Sequence, residues 1–205
     1  MELIADRVGV AGLHAPLLLP TDVHARPRNV TVIAGDPGYG HVALALALGG
    51  RVPLSSGTVT LDADEDETLR RRHVALVDVP GVTAPEDAVS VRAAVAEQLA
   101  LAGRPAGRAA TRAFLGGHGV EEAGARFEAL LPSVRTVLLM HAAASRAATR
   151  VLVVAAPDRF GGDPNDWYGA AQRLAADGLT VVVQVTHATA RQLAVPATYE
   201  LGVSR

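Results

Sequence analysis

The chain has 205 residues, of which 49% are hydrophobic, enough for one sizeable α/β domain and too many for extensive disorder. Its net charge of −2 gives no basic surface for nucleic acid, and the absence of cysteine excludes disulfides and thiolate metal sites. Because the histidines lack metal-ligand spacing, we predict no metal site. No apolar run is long enough to span a membrane and the N-terminus lacks signal-peptide features, so we expect a cytoplasmic location.

The first informative segment is an apolar run at residues 30–34, rich in β-branched side chains, which predicts a buried strand. Residues 41–48 predict a helix that ends at a glycine pair. A strand, a glycine-rich loop and a helix are the setting that a phosphate-binding loop requires. The connecting residues are Gly35, Asp36, Pro37, Gly38, Tyr39, Gly40, His41 and Val42.

This loop has the glycines of the pattern G-x-x-x-x-G-K-[ST] and lacks its last two residues. His41 stands in place of the lysine, and Val42 stands in place of the hydroxyl residue that binds Mg²⁺. Every basic residue of the chain outside histidine is arginine, so a bias against lysine accounts for part of this difference but not for Val42. The glycine spacing alone fits an ordinary turn before a helix equally well.

Further along the chain, apolar runs at residues 74–77, 151–155 and 180–185 predict strands that alternate with helical patterns. Residues 64–72 carry an acidic run and then a basic run, which predicts a solvated loop. Strands that alternate with helices favour a largely parallel sheet flanked by helices. The helical region at about residues 82–148 is predicted to be a subdomain inserted in the sheet order.

In such sheets ligands bind beyond the carboxyl ends of the strands. Four positions follow predicted strands in this way: Gly35, Asp78, Ala155 and His187. Asp78 begins the sequence Asp-Val-Pro-Gly, which is similar to a switch motif of GTPases, and this leaves a GTPase-like switch as an alternative. The guanine-reading motif of GTPases is missing after residue 185, so a plain strand end and turn is the favoured interpretation of Asp78.

Along nearly its whole length the chain resembles the nucleotide-binding subunit of ABC transporters. Five segments carry the resemblance in the family's order: VTVIAGDPGYGHVALALALGGRVPLSSGTVTLD, VALVDVPGVTAPEDAVSVRAAVAEQLALAG, LLPSVRTVLLMHAAAS, VLVVAAPDRFGGDP and GLTVVVQVTHATARQL. They resemble the Walker A region, the Q-loop, the signature helix, the Walker B strand with the D-loop, and the strand before the switch histidine. The resemblance implies a P-loop NTPase-like α/β fold of ABC type, as one domain over residues 1–205.

The resemblance also implies which functional positions differ. Nucleotide would contact the loop from Gly35 to Val42, and His187 corresponds to the switch histidine. Ala155 and Ala156 stand where the family has the Walker B aspartate and the catalytic glutamate, and Asp78 stands at the Q-loop glutamine. The signature positions hold Ser133, Val134 and Arg135, whereas Asp163 matches the D-loop aspartate with an offset of one residue.

Because the lysine charge, the metal ligands and the general base are all missing, we expect no catalytic residues and no hydrolysis. The backbone N–H groups of the loop can still hold an anion, so weak binding of ATP without Mg²⁺ is the only cofactor interaction left open. The sequence therefore predicts a degenerate, non-hydrolysing subunit.

The expected partner is a membrane transport protein, with a second ABC subunit or a second copy of the chain as further candidates and no nucleic acid. Docking is expected through the helical subdomain and residues 78–86, at the inner face of the membrane. The alternative within the same family is an active ATPase subunit that a partner completes.

Overall fold

A computed structural model describes residues 1–195 and 198–202. The elements of its first part are β1 (Leu3–Val10), β2 (Leu18–Ala25), β3 (Val30–Gly35), α1 (Tyr39–Leu48), β4 (Ser56–Leu61), α2 (Glu67–His73) and β5 (Val74–Val77). Those of its second part are α3 (Val91–Leu101), α4 (Arg108–Gly117), α5 (Pro132–Ala144), β6 (Val151–Ala155), α6 (Pro164–Ala176), β7 (Thr180–Thr186), α7 (His187–Leu193) and β8 (Thr198–Glu200). Single 3₁₀ turns lie at Phe127–Ala129 and Pro157–Phe160.

Within the described residues the strands form two sheets. Three strands make an antiparallel sheet in the order β2-β1-β4, and five make a parallel sheet in the order β5-β6-β7-β3-β8. In register, Gly35 at the end of β3 pairs with Thr186, and Ala155 at the end of β6 pairs with Gln184. The carboxyl ends of these strands therefore meet at one edge of the parallel sheet.

The parallel sheet is buried on both faces, which explains its nearly continuous apolar runs. Ile33, Val153 and Val182 pack on one face with α1 and the antiparallel sheet. Their alternate neighbours, such as Val32 and Val154, pack on the other face with α3, α5 and α6. This layering places the start of α1 above the carboxyl edge of β3, where the glycine-rich loop lies.

The helices α3, α4 and α5 follow one another between β5 and β6. Ser90 caps α3 by accepting a hydrogen bond from the N–H of Ala93, and Pro132 occupies the first turn of α5, where its missing N–H costs nothing. A mostly parallel α/β sheet with an inserted helical segment is the predicted fold class. The limits of the insertion at 82–148 and the single domain over 1–205 stay predictions, and residues 196, 197 and 203–205 lie outside the described residues.

The prediction of a solvated loop at residues 64–72 is wrong, because α2 begins at Glu67. Asp66 caps this helix by accepting from the N–H of Thr68. Arg70 is only 3% exposed and donates to the carbonyl groups of Val59 and Glu65. A buried arginine held by backbone carbonyls depends on tertiary contacts, and a count of charges along the sequence could not find it.

Two other regions extend the sequence prediction. The strands β1 and β2 lie outside the segments assigned from the sequence, and α4 lies within the predicted helical region at about residues 82–148. No helix in the described part of the chain is long and apolar enough to cross a membrane.

Candidate functional site

The glycine-rich loop connects β3 to α1 at the carboxyl edge of the sheet. Residues 36–39 are exposed, and Gly38 is the N-cap of α1, which has no side-chain cap among the described residues. The first N–H groups of a helix have no acceptor inside the helix, so these groups remain available to a ligand. Pro37 contributes no N–H, which removes one donor from the loop.

Two of the loop's three spaced glycines are required by packing against the C-terminal segment. A Cβ atom at Gly35 would lie 2.7 Å from Cβ of Leu201, and one at Gly40 would lie 2.7 Å from Cδ2 of Leu201. The N–H of Leu201 donates to the carbonyl of Ala34 at 2.8 Å, which holds the segment in place. A Cβ at Gly38 would meet no atom within 4 Å among the described residues. Packing alone thus explains Gly35 and Gly40 and leaves Gly38 without a structural reason.

His41 occupies the lysine position and is only 4% exposed. Its ring faces the amide of Gln184 and the backbone of Gly35 and Asp36. The geometry does not complete a hydrogen bond to Gln184, because Nδ1 of His41 and both amide atoms of Gln184 lack partners in the described part of the chain. Burial lowers the pKa of His41, and the facing amide and the carboxylate of Asp158 only partly oppose this effect. The imidazole is therefore mainly neutral at pH 7, unlike the lysine that it replaces.

Val42 packs against the apolar cluster beneath α1 and carries no metal-binding group. Ala155 is fully buried at the end of β6, and Ala156 has a left-handed backbone (φ 44°, ψ 55°). No group of three or more histidine, aspartate or glutamate side chains in residues 1–195 and 198–202 could hold a metal ion. The positions that the resemblance assigns to metal and general base thus supply no ligand.

Asp158, two residues past Ala156, is a carboxylate that the sequence analysis missed. Its Oδ2 atom accepts hydrogen bonds from the N–H and hydroxyl of Thr186 and from the hydroxyl of Thr189. Its buried Oδ1 atom has no partner among the described side chains and backbone groups. The carboxylate is therefore anchored to the start of α7 and lies near His41. Its place two residues after the Walker B segment was the only available signal in the sequence.

Asp78 follows β5 at the predicted strand end and is only 2% exposed. Burial raises the pKa of its carboxyl group, and the guanidinium of Arg159 acts in the opposite direction. The Nη2 atom of Arg159 lies 2.6 Å from Oδ1 of Asp78, and its Nη1 atom donates to the carbonyls of Ala155 and Ala156. The position that the resemblance assigns to the Q-loop glutamine thus holds a carboxylate that is bonded within the chain.

A second arginine continues this network towards the inserted helices. Arg135 in α5, which the resemblance aligns with the signature segment, pairs with Asp87 at 2.7 Å. Its guanidinium lies 4.7 Å from the ring centre of Phe127 and 4.0 Å from that of Phe160. The guanidinium of Arg159 lies 4.3 Å from the same ring of Phe160. Phe160 therefore contacts two arginines, and the inserted helices are tied to the carboxyl edge of the sheet.

The remaining predicted positions lie at element starts. His187 is the first residue of α7, directly after Thr186, which caps that helix. Asp163 caps α6 by accepting from the N–H of Asn165. Ser133 and Val134 lie in the first turn of α5. The structure brings the loop, Asp78, Ala155 and His187 to one edge of the sheet, and it adds Asp158, Arg159 and Gln184 to them.

Comparison of the structure with solved structures identifies the class of protein that has this fold. This chain superimposes on a Pyrococcus furiosus protein described as an ABC transporter ATP-binding protein, with a TM-score of 0.71, 13% identity and 100% of each chain covered. The match to an ATP-binding subunit of an ABC transporter has a TM-score of 0.65 and 13% identity, and it covers 94% of this chain and 82% of the other. The match to a nucleotide-free ATP-binding cassette from an ABC transporter has a TM-score of 0.70 and 15% identity, and it covers 98% of this chain and 88% of the other.

The chain therefore has the fold of the ABC transporter ATP-binding proteins, which confirms the fold class predicted from the sequence. No protein-family model and no curated protein matches the sequence. At 13–15% identity the likeness establishes the fold, and the roles of individual residues have to be argued from their chemistry.

Proposed function

We propose that this chain is a non-hydrolysing ABC-type subunit that serves as an accessory or scaffold subunit of a membrane transport system. The observation that carries the proposal is Val42, which stands where the resemblance expects the hydroxyl residue that binds Mg²⁺ and packs its side chain against the apolar cluster beneath α1. Ala155 and Ala156 add no carboxylate at the sheet edge, and His41 lacks a permanent charge. We place the subunit in the cytoplasm, at the inner face of the membrane.

Phosphoryl transfer depends on positioning and on neutralising charge, and a single missing acid or base group typically lowers the rate by about 10²–10⁴. Here the charge, the metal ligands and the base are all absent from their positions. The exposed N–H groups at the start of α1 still favour an anion, and this supports weak binding of nucleotide without Mg²⁺. Hydrolysis by this chain alone is not expected.

The contacts around Phe160 support a scaffold role. In the ion pairs Asp78–Arg159 and Asp87–Arg135, three of the side chains are at most 21% exposed, and only Asp87 is more open. Both guanidinium groups stack on Phe160, so contacts within the chain join the inserted helices to the sheet. A subunit that presents a fixed docking surface has no need of a nucleotide cycle.

A cavity of about 270 Å³ beside β5 supports docking of a membrane partner. Its apolar wall includes Leu76 and Leu101, and its polar wall includes Thr83 and the two arginines Arg51 and Arg146. Burial and the charge of Arg146 lower the pKa of Arg51, and neither arginine forms an ion pair with a carboxylate within the described residues. We propose that a cytoplasmic segment with an acidic side chain, from the membrane protein, occupies this cavity.

The hydrolysis part is tested with purified protein. We expect no Mg²⁺-dependent release of phosphate from ATP, and none after Ala155→Asp or Ala156→Glu, because Val42 still provides no metal ligand. Robust Mg²⁺-dependent turnover by the wild-type chain contradicts the proposal. Loss of that turnover in Asp158→Asn would then favour the active-subunit alternative, because the anchored carboxylate of Asp158 is the observation that supports it.

The docking part uses the absence of cysteine, which makes any introduced thiol unique. Leu101 lines the cavity and its side chain is 66% exposed, so Leu101→Cys places the thiol at the proposed docking surface. Leu13, in the turn between β1 and β2, is 91% exposed, and Leu13→Cys is the control. We expect the first to cross-link to a multi-span membrane protein encoded beside this chain, and the second not to. Addition of Arg146→Glu should abolish the cross-link. Equal labelling of both positions contradicts the docking surface.

A further inference from the structure

We infer that the start of α1 and His41 form a proton-gated oxyanion site, in which an anion such as a nucleotide phosphate binds as His41 takes up a proton. This inference deepens the nucleotide-binding part of the proposed function and rests on it. The proposed site differs in charge from the phosphate-binding loop of the family. The lysine of that loop is permanently cationic, whereas His41 becomes cationic only when the anion binds.

The backbone supplies the first half of the site. The helix α1 has 10 residues, so its N-terminus carries the partial positive charge of a full-length helix. Its N-cap, Gly38, has open space around it, and no side chain in the described residues caps the first turn. The N–H groups that begin α1 therefore point to an exposed loop and can meet an anion without displacing another acceptor.

His41 supplies the second half. Its ring is almost fully buried against the backbone of Gly35 and Asp36, and its Nδ1 atom has no partner in the part of the chain that is described. The facing amide of Gln184 is fully buried with neither atom bonded to described groups. Buried polar atoms are normally satisfied, so a cluster of unpartnered ones next to open N–H groups indicates a ligand or bound water.

The charges around the ring decide its protonation. From the segment after β6 it faces the carboxylate of Asp158, and from its own loop it faces the backbone of Asp36, whose side chain is exposed. The strand β7 presents the neutral Gln184, and the C-terminal segment presents the apolar Leu201. The first turn of α1 itself holds no acidic residue.

Burial outweighs the carboxylate of Asp158 and the polar groups that face the ring, and it lowers the pKa of His41. A bound oxyanion adds a negative charge next to the ring, which raises the pKa of the imidazole. The proton comes from solvent and adds to an imidazole nitrogen, and no other bond forms or breaks. Because the bound state holds more protons than the empty state, the affinity for the anion must rise as the pH falls.

Sulfate is the first probe, because it remains doubly charged throughout the pH range of the test. Titration calorimetry from about pH 7.5 to about pH 5.5, in buffers of different ionisation enthalpy, measures both affinity and proton uptake. We expect the affinity of the wild-type chain to rise by up to about tenfold per pH unit, with net uptake of protons. ADP without Mg²⁺ is the second probe at about pH 7.5, where its terminal phosphate is mostly ionised and proton uptake on binding is assigned to the protein.

Two substitutions at His41 give opposite expectations. His41→Lys carries a permanent charge, so it should bind sulfate at about pH 7.5 at least as tightly as the wild type does at about pH 5.5, with no pH dependence. His41→Gln should bind weakly at every pH, without proton uptake. His24→Gln, on β2 and paired with Glu2, is the matched control and should behave as the wild type. Circular dichroism confirms that each variant is folded.

Three outcomes overturn the inference. If sulfate and ADP bind the wild type with no pH dependence and no proton uptake, His41 does not gate the site. The anion then binds through the N–H groups at the start of α1 alone. An unchanged pH dependence in folded His41→Gln assigns the effect to another group. If neither the wild type nor folded His41→Lys binds either probe, the loop is not an anion site. None of these results involves hydrolysis or docking, so they are distinguishable from failure of the turnover and cross-linking tests.

Discussion

The polar groups at the carboxyl edge of the parallel sheet are arranged differently after β3 and after β5. At the β3 end, the loop before α1 keeps open N–H groups, and His41 and Gln184 have polar atoms without partners in the described residues. At the β5 end, Oδ1 of Asp78 is bonded to Arg159, and Arg159 and Arg135 stack on Phe160, although Oδ2 of Asp78 also lacks a partner in the described residues. The difference is that the β3 end keeps open backbone N–H groups for a ligand, whereas the β5 end holds its charged side chains in ion pairs within the chain.

The comparison predicts that the β5 end contributes most to stability. Arg159→Ala leaves the buried carboxylate of Asp78 without its ion-pair partner, and breaking such a pair typically costs about 3–5 kcal/mol of unfolding free energy. Urea denaturation monitored by circular dichroism measures the loss. Arg126→Ala is the matched control, because its pair with Glu128 is exposed and should change the unfolding free energy by less than about 1 kcal/mol. Equal losses in the two variants contradict the assigned difference.

At the β3 end, the glycines separate packing from ligand binding. Gly35→Ala should lower the unfolding free energy by about 1–3 kcal/mol, because its Cβ would meet the Cβ of Leu201. Gly40→Ala should cost less, because only the end of the Leu201 side chain must move. Gly38→Ala should leave stability nearly unchanged, since the space is open and its φ of 162° is extended backbone.

Addition of Leu201→Gly, which removes the Cβ that the new methyl group would meet, tests the cause of this loss. It should recover part of the stability of Gly35→Ala, and a double-mutant cycle measures the coupling. The interpretation is wrong if Gly38→Ala is the most destabilised of the three, or if Gly35→Ala and Leu201→Gly show no coupling.

The smallest effect concerns pH. Because the pKa of His41 is lowered in the folded state, the unfolded chain binds more protons than the folded chain below about pH 6.5. Stability is complete above that pH and falls as the pH decreases towards the folded-state pKa, by at most about 1.4 kcal/mol per pH unit.

Burial also lowers the pKa of His141, so the contribution of His41 is the difference between the wild type and His41→Gln. Denaturation midpoints at about pH 7.5 and about pH 5.5 measure it. Saturating sulfate should reduce the effect in the wild type only. An identical pH dependence in the two proteins removes His41 as its source.

Much of the architecture was predictable because its signals are local. The apolar runs that end at Gly35, Val77 and Ala155 predict buried strands, and a parallel sheet places their carboxyl ends together. The helix α2 was missed because Arg70 is buried by carbonyl groups from β4 and from the preceding loop. In the candidate site, Gln184 was absorbed into an apolar run, and Asp158 and Arg159 were passed over as part of a loop.

The sequence by itself determined which chemical groups are available: no lysine, a valine at Val42, and alanines at Ala155 and Ala156. These are covalent facts that no folding can alter. Only the tertiary structure decided how the remaining polar groups pair, because Asp78 and Arg159 are far apart in the chain and meet at the sheet edge. It also decided that His41 is buried and that Leu201 packs on Gly35, since burial depends on segments that are distant in sequence.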